Sequence, residues 1–283
     1  MKILIIGSGA WPTKIFHGLY SKSKKDEIKQ IGARDFLSQD SSQYNSFDCI
    51  WIASTPENQI NLITKLAHYS NVVILEKPLF TTISEQQRFN SAFKNFKGVA
   101  RMSAIWLYSP LWKNLKLSIE NITSILIKHK YLDRRIYCSP IFDWIPHDLY
   151  LLNDLGLNVH QSSELSTDSP ALGNLSMRFK FENKVCVDIS LEKSKQNDFS
   201  WEIGCSDSSK IEINFTNRSF KKTIQGKILT SYSDESGLNP ATAMVEDMSK
   251  TTDSTLQNFI DMHSYLIKYL SFPVTSISQE REH

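Results

Sequence analysis

Four short stretches concentrate side chains and backbone geometries that do chemistry. "GSGAWP" (7–12) follows the apolar run "KILIIG" (2–7). Glycines at Gly7 and Gly9 allow a tight turn and a close backbone approach to a pyrophosphate, and a helix starting here offers free N–H groups to it. "GARD" (32–35) ends a strand-like run and presents Arg34 and Asp35. "EKPL" (76–79) ends the apolar run "NVVIL" with a carboxylate, an ammonium and a rigid imino acid. "FDWIPHDLYLL" (142–152) holds Asp143 and His147, four residues apart and on one face if helical. Each has a plain alternative: a glycine turn, a surface arginine, a strand end with a salt-bridged lysine, a packed histidine, and an acid favoured by a helix N-terminus.

The surrounding elements decide how these stretches meet. Over the first hundred residues apolar runs alternate with helical spacing. Strands are expected at 2–7, 27–33, 47–54, 71–76 and 98–106, and helices at about 12–20, 55–70 and 83–97. Thr55 and Pro56 suit an N-cap and a first helical position, and Thr82 with Glu85 fits a capping box. This alternation predicts an α/β unit, a doubly wound parallel sheet of the Rossmann type. After about residue 110 the texture changes. A short helix (110–120), a strand (124–132) and a helix from Pro146 to about Leu155 precede long β-prone runs at 175–193, 201–215 and 219–233, with a last helix at about 253–270. These runs predict an α+β domain on an open antiparallel sheet. The boundary falls near residue 106, giving a dinucleotide-binding domain (1–106) and a substrate-binding and oligomerisation domain (107–283). The tail "SISQEREH" reads as disordered.

Composition narrows the classes. With 283 residues, 41% hydrophobic, the chain can bury a real core. Its 32 Lys+Arg against 30 Asp+Glu leave a net charge of +2, and no electrostatic case for nucleic acid or an anionic membrane. The basic cluster "SKSKK" (21–25) reads as a solvated loop. No apolar stretch approaches the ~20 residues of a spanning helix. Cys49, Cys138, Cys186 and Cys205 form no CxxC pair, so reduced thiols in a cytoplasmic protein are expected, with no structural metal.

"EKPL" after "STPENQINLITKLAHYSNVVIL", together with the DxxxH segment "DWIPH", resembles the glucose–fructose oxidoreductase / inositol 2-dehydrogenase (Gfo/Idh/MocA) family. Pro12 in place of a third glycine, and Ile60 where relatives often carry histidine, depart from it. The resemblance implies hydride transfer between a nicotinamide and a carbinol or carbonyl carbon, with Lys77, Asp143 and His147 as the catalytic set. Cofactor contacts are then expected from Gly7, Gly9, Ala10, Trp11, Arg34, Ser54, Thr55, Pro56, Glu76 and Lys77. Arg34 after neutral Ala33 favours NADP over NAD, the alternative being NAD with Asp35 as the ribose ligand, displaced by one position. A polyhydroxylated small molecule (a sugar, nucleotide-linked sugar or cyclitol) is the expected substrate, and a homodimer or homotetramer the expected assembly. A non-catalytic nucleotide sensor and a methyltransferase are the rival readings; keeping all three catalytic positions argues against the first, and the lysine at the fourth strand's tip against the second.

Overall fold

The computed structural model describes residues 1–22, 26–132, 139–159, 162, 164–171, 174–234, 241, 244–245 and 256–270. Cys138, the end of the "SKSKK" cluster, residues 253–255 of the last expected helix and the tail "SISQEREH" lie outside them.

Five apolar runs form the first sheet: β1 (Lys2–Ile6), β2 (Glu27–Ile31), β3 (Cys49–Ile52), β4 (Val72–Leu75) and β5 (Val99–Met102). They pair in parallel in the order β2-β1-β3-β4-β5. β3 is buried at every position, the pattern of a strand covered on both faces. The connections are α1 (Ala10–Lys22), α2 (Ala33–Ser38), α3 (Pro56–Lys65) and α4 (Ile83–Lys94).

Three local expectations change. α1 starts at Ala10, not near Pro12. Pro12 therefore falls within the first turn, where no intrahelical N–H bond is lost. The second strand stops at Ile31, and α2, which the sequence reading lacks, opens at Ala33 behind an extended Gly32 N-cap. The capping residues take their expected positions, but part of their side-chain bonding changes. Thr55 occupies the N-cap of α3 but makes no side-chain cap bond. Thr82 accepts from the Glu85 N–H at 3.1 Å, while the Glu85 carboxylate reaches back to Thr81 N at 2.7 Å rather than to Thr82.

After α5 (Pro110–Lys116) and β6 (Ile122–Tyr131) comes α6 (Pro140–Asp154). α6 begins six residues before the expected start, which makes Pro146 an interior residue. Ser139 supplies the reason: its side chain accepts from Ile141 N at 3.3 Å, and Pro140 takes the first helical position.

The second sheet has eight strands: β6, β7 (Glu164–Ala171), β8 (Asn174–Lys180), β9 (Cys186–Lys193), β10 (Asp198–Cys205), β11 (Ser209–Asn214), β12 (Ser219–Ile224) and β13 (Lys227–Ser233). Their order is β13-β12-β11-β10-β6-β9-β8-β7. It is antiparallel except at β6–β9, which pair in parallel. β7 lies outside the β-prone runs that the sequence marks. Inward side chains such as Trp201, Ile203, Ile211 and Ile213 are buried. Outward ones are charged and cross-paired: Lys210 lies 2.8 Å from Glu202 and 3.1 Å from Glu212.

α7 (Leu256–Leu270) ties the two halves together. Gln86 on α4 donates to Ser264 Oγ at 2.6 Å, and Phe259 meets Tyr150 of α6 edge-on with ring centroids 4.2 Å apart. One apolar cluster runs from Leu4 and Ile50 through Leu149 to Ile189 and Ile211, so the halves share a core. Among the described residues no helix is long and apolar enough to cross a membrane. Cys49, Cys186 and Cys205 are free thiols.

Candidate active site

All five strands of the first sheet end on one cleft of about 1160 Å³: Gly7, Gly32, Ala53, Glu76 and Ser103 line it. Open α/β sheets bind ligands there, outside the carboxyl ends of the strands. The order β2-β1-β3 places the topological switch between β1 and β3.

Gly7 follows β1 at φ +152°, and a Cβ there would lie 2.2 Å from Ala53 O. Only glycine lets the β1 turn pass this close to the end of β3. The same Cβ would come 2.8 Å from Pro12 Cγ. The proline ring thus packs on Gly7, in place of the helix–strand approach that a third glycine allows. Gln30 Nε2 donates to Gly7 O at 2.8 Å and fixes the turn. A Cβ on Gly9 would meet nothing nearer than Pro12 Cδ at 4.0 Å, so this side of the turn faces open space. The amides of Ala10 and Trp11 begin α1; Pro12 contributes none. A tight glycine turn, an open approach and unused helix amides fit a dinucleotide pyrophosphate.

Ser54, Thr55 and Asn58 line the wall above β3, with Asn58 Nδ2 donating to Ser54 Oγ at 3.1 Å. Pro56 is buried and does not line the cleft. At the far end Arg34 and Asp35 are both exposed and both line it, from the first turn of α2.

The segment after β4 is clamped from behind. Gln59 on α3 is fully buried. Its Nε2 donates to Glu76 O at 2.9 Å and Pro78 O at 3.1 Å, and its Oε1 accepts from Glu76 N at 3.0 Å. Sequence reasoning missed this residue. The available signal was a glutamine four residues before Ile63, inside the apolar stripe of α3. The Lys77–Pro78 peptide is cis. Glu76 Oε1 accepts from the indole of Trp51 at 2.9 Å. Burial pushes the Glu76 carboxyl above the usual carboxylate range, against hydrogen bonds that include the indoles of Trp11 and Trp51.

Lys77 leaves this clamp toward α6. Its ammonium donates to the carbonyl of Asp143 at 2.7 Å and also to the Asp143 carboxylate. The two side chains are only 10% and 9% exposed. Asp143 itself does not line the cleft; Lys77 and His147 do. On α6, His147 follows Asp143 by one turn, so one helix presents both to the end of β4. Trp106 lines the same end, its ring braced edge-on by Phe215 at 5.3 Å.

A residue beside His147 has another task. Asp148 is fully buried; His129 Nε2 lies 2.7 Å from its carboxylate, and Trp201 Nε1 donates to it at 3.2 Å. Burial raises the Asp148 carboxyl, and His129 opposes this. The pair pins α6 to β6 and β10.

No family model and no curated protein sequence matches the chain. Solved structures do. A Gfo/Idh/MocA family oxidoreductase from Vibrio cholerae superposes with a TM-score of 0.74 at 13% identity, over 98% of this chain and 100% of that one. UDP-N-acetylglucosamine 3-dehydrogenase from Acidithiobacillus ferrooxidans gives 0.75 at 11% identity, over 95% and 97%. Biliverdin reductase from Synechocystis, in complex with biliverdin and NADP+, gives 0.68 at 13%, over 95% and 98%. At these identities the likeness is one of fold. The chain has the two-sheet architecture of the Gfo/Idh/MocA oxidoreductases.

Proposed function

We propose that the protein is a nicotinamide-dependent oxidoreductase acting on a CH–OH group of a polyhydroxylated small molecule. The observation that carries this reading is that Lys77 and His147, from the two halves of the chain, line the same cleft as the Gly7–Gly9 turn. When bound, the nicotinamide would supply the hydride acceptor or donor at its C4.

The chain's own residues do the rest. The Gly7–Gly9 turn and the first amides of α1 hold the pyrophosphate. Ser54, Thr55 and Asn58 border the path from there to Lys77. Arg34 pairs with a 2′-phosphate, which favours NADP over NAD, while Asp35 beside it is the group that would take a free ribose hydroxyl. In oxidation His147 accepts the substrate hydroxyl proton as general base. Lys77 donates a hydrogen bond to the same oxygen as negative charge builds there. Asp143 balances the lysine charge and orients its ammonium. In reduction His147 returns the proton. A sugar, nucleotide-linked sugar or cyclitol suits the site, and the sugar-nucleotide dehydrogenase among the fold neighbours supports that class. The working assembly is a homodimer or homotetramer through the second sheet, in a cytoplasmic setting.

Fluorescence titration with NADPH and NADH, followed by turnover with a panel of polyols, tests the reading. Binding and turnover are expected. Binding without turnover of any polyol would favour a nucleotide sensor, and no binding of either nucleotide would sink the proposal.

A further inference from the structure

Two polar groups that the proposed chemistry leaves unused lie near the segment after β4, Tyr150 within reach of the Glu76 charge and His263 of the Lys77 charge, and neither lines the cleft. His263, on α7, is fully buried. Its Nδ1 stands 2.9 Å from the carbonyl of Phe259. A carbonyl only accepts, so Nδ1 carries the hydrogen and Nε2 presents a bare lone pair. That Nε2 is buried without a protein partner, and so is the hydroxyl of Tyr150 on α6. The two rings are 6.4 Å apart at their centroids and tilted by 37°. A buried acceptor and a buried donor thus belong to neighbouring rings. Leaving both unmatched carries a desolvation cost, which one water donating to Nε2 and accepting from the phenol would remove.

Both members touch catalytic elements. Tyr150 follows His147 by three residues on α6, with ring centroids 6.5 Å apart. His263 meets Phe80, three residues past Lys77, edge-on at 5.6 Å. Among the described residues, Lys77 and Phe80 after β4, Tyr150 from α6, and Phe259 from its own helix face the imidazole. Burial, with a smaller contribution from the Lys77 charge, holds its pKa down to about 4. A neutral imidazole there puts no second cation next to Lys77.

We propose that Tyr150 and His263 are positioning residues: joined across one internal water, they bind α7 to α6 and to the segment after β4, and so set where Lys77 stands relative to His147. The inference rests on the oxidoreductase reading for its catalytic half only. A small displacement between two reacting groups costs up to ~10²-fold in rate, which makes a brace at this point consequential.

The test uses the full chain with Tyr150→Phe, His263→Leu, their double variant and His263→Gln. The thermal midpoint of the nucleotide-free protein should fall in each single variant, and the double should be no worse than the weaker single. Turnover should fall by ~10- to 100-fold in Tyr150→Phe with NADPH affinity unchanged. His263→Gln, which keeps an acceptor oxygen, should recover most of what His263→Leu loses. Nitrogen NMR of the imidazole should show Nε2 unprotonated across the neutral range. Additive thermal losses, or a His263 titrating at about 6.5, would overturn the bridge. A lowered midpoint with unchanged turnover in Tyr150→Phe would overturn the positioning role. If the wild-type protein turns over no polyol, the oxidoreductase reading and the positioning role fall together, while the thermal and NMR measurements still decide the bridge.

Discussion

The ammonium of Lys77, at the tip of β4, is bonded to both the carbonyl and the carboxylate of Asp143, 66 residues further along the chain in the first turn of α6. Strand tip and helix start belong to different halves of the chain. With about nine-tenths of each side chain buried, both charges are largely cut off from water. The contact is therefore both a structural joint and a way of holding an ammonium at the mouth of the cleft.

Those two roles separate under mutation. Lys77→Ala strands the Asp143 carboxylate, which should cost about 3–5 kcal/mol of stability. Turnover should fall by roughly 10²–10³, with nucleotide binding largely intact because the Gly7–Gly9 turn is untouched. The double variant Lys77→Met/Asp143→Leu removes both charges and should regain most of the stability without regaining activity. Urea denaturation and initial rates measure the two effects. Wild-type turnover in Lys77→Ala, with only stability lost, would mean that the segment is a strand end with an ion pair.

Arg34 is exposed in the first turn of α2 and lines the cleft beside Asp35. Arg34→Ala should weaken NADPH binding by about 1–3 kcal/mol, the scale of a charge-assisted contact, and leave NADH nearly unchanged. Equal losses for both nucleotides would show that Arg34 does not read a 2′-phosphate. Asp35→Ala should act in the opposite sense, on NADH.

Stability should fall on mild acidification through His263. Its folded pKa of about 4 lies below its ordinary value of 6.5. Between these values the unfolded chain binds the proton and the folded one does not. The contribution is therefore complete above about pH 6.5 and is lost as pH falls toward about 4. Chemical denaturation of wild type and His263→Gln across that window checks it, since the variant should lack this part of the slope. Parallel curves would assign the acid sensitivity elsewhere.

The expected assembly would bury a polar surface. The outward residues of the second sheet are charged, with Lys221 2.5 Å from Glu212 and Arg178 2.5 Å from Asp188. An interface there should be specific but salt-sensitive. Light scattering at micromolar concentration should give a multiple of 32.5 kDa, reduced by added salt. A monomer at low salt would rule the assembly out under those conditions.

The parallel sheet was legible because β1, β3 and β4 are short apolar runs between turn signals, a local pattern. Helix and strand ends were less so. α6 starts at Pro140 because of a serine cap, whereas Pro146 looked like the start, and a proline inside a helix is a tertiary exception to its local preference. β7 and α2 carry weak local signals and are held by their neighbours. Within the site, Lys77 and His147 could be named from motifs. Gln59, Tyr150, Asp148 and His263 could not, because each looks like one polar residue on an apolar face until the opposite wall is in place. The parallel β6–β9 pairing is likewise a long-range fact.

His147 provides the most direct chemical test. It lines the cleft with Lys77 and shares a helix face with Asp143. His147→Ala should cost about 10²–10⁴ in turnover, the range for losing a general acid or base. Lys77→Ala/His147→Ala should be little slower than either single variant, because both groups serve one oxygen and its proton. The rate of alcohol oxidation in the wild type should rise with pH through the range where an imidazole titrates, as the base form accumulates. His147→Ala should lose that limb and keep NADPH affinity. Multiplicative losses in the double variant would show that the two residues act on separate steps. A rising limb that survives the loss of His147 would hand the proton to another group, and the neighbouring carboxylate of Asp143 would be the next to change.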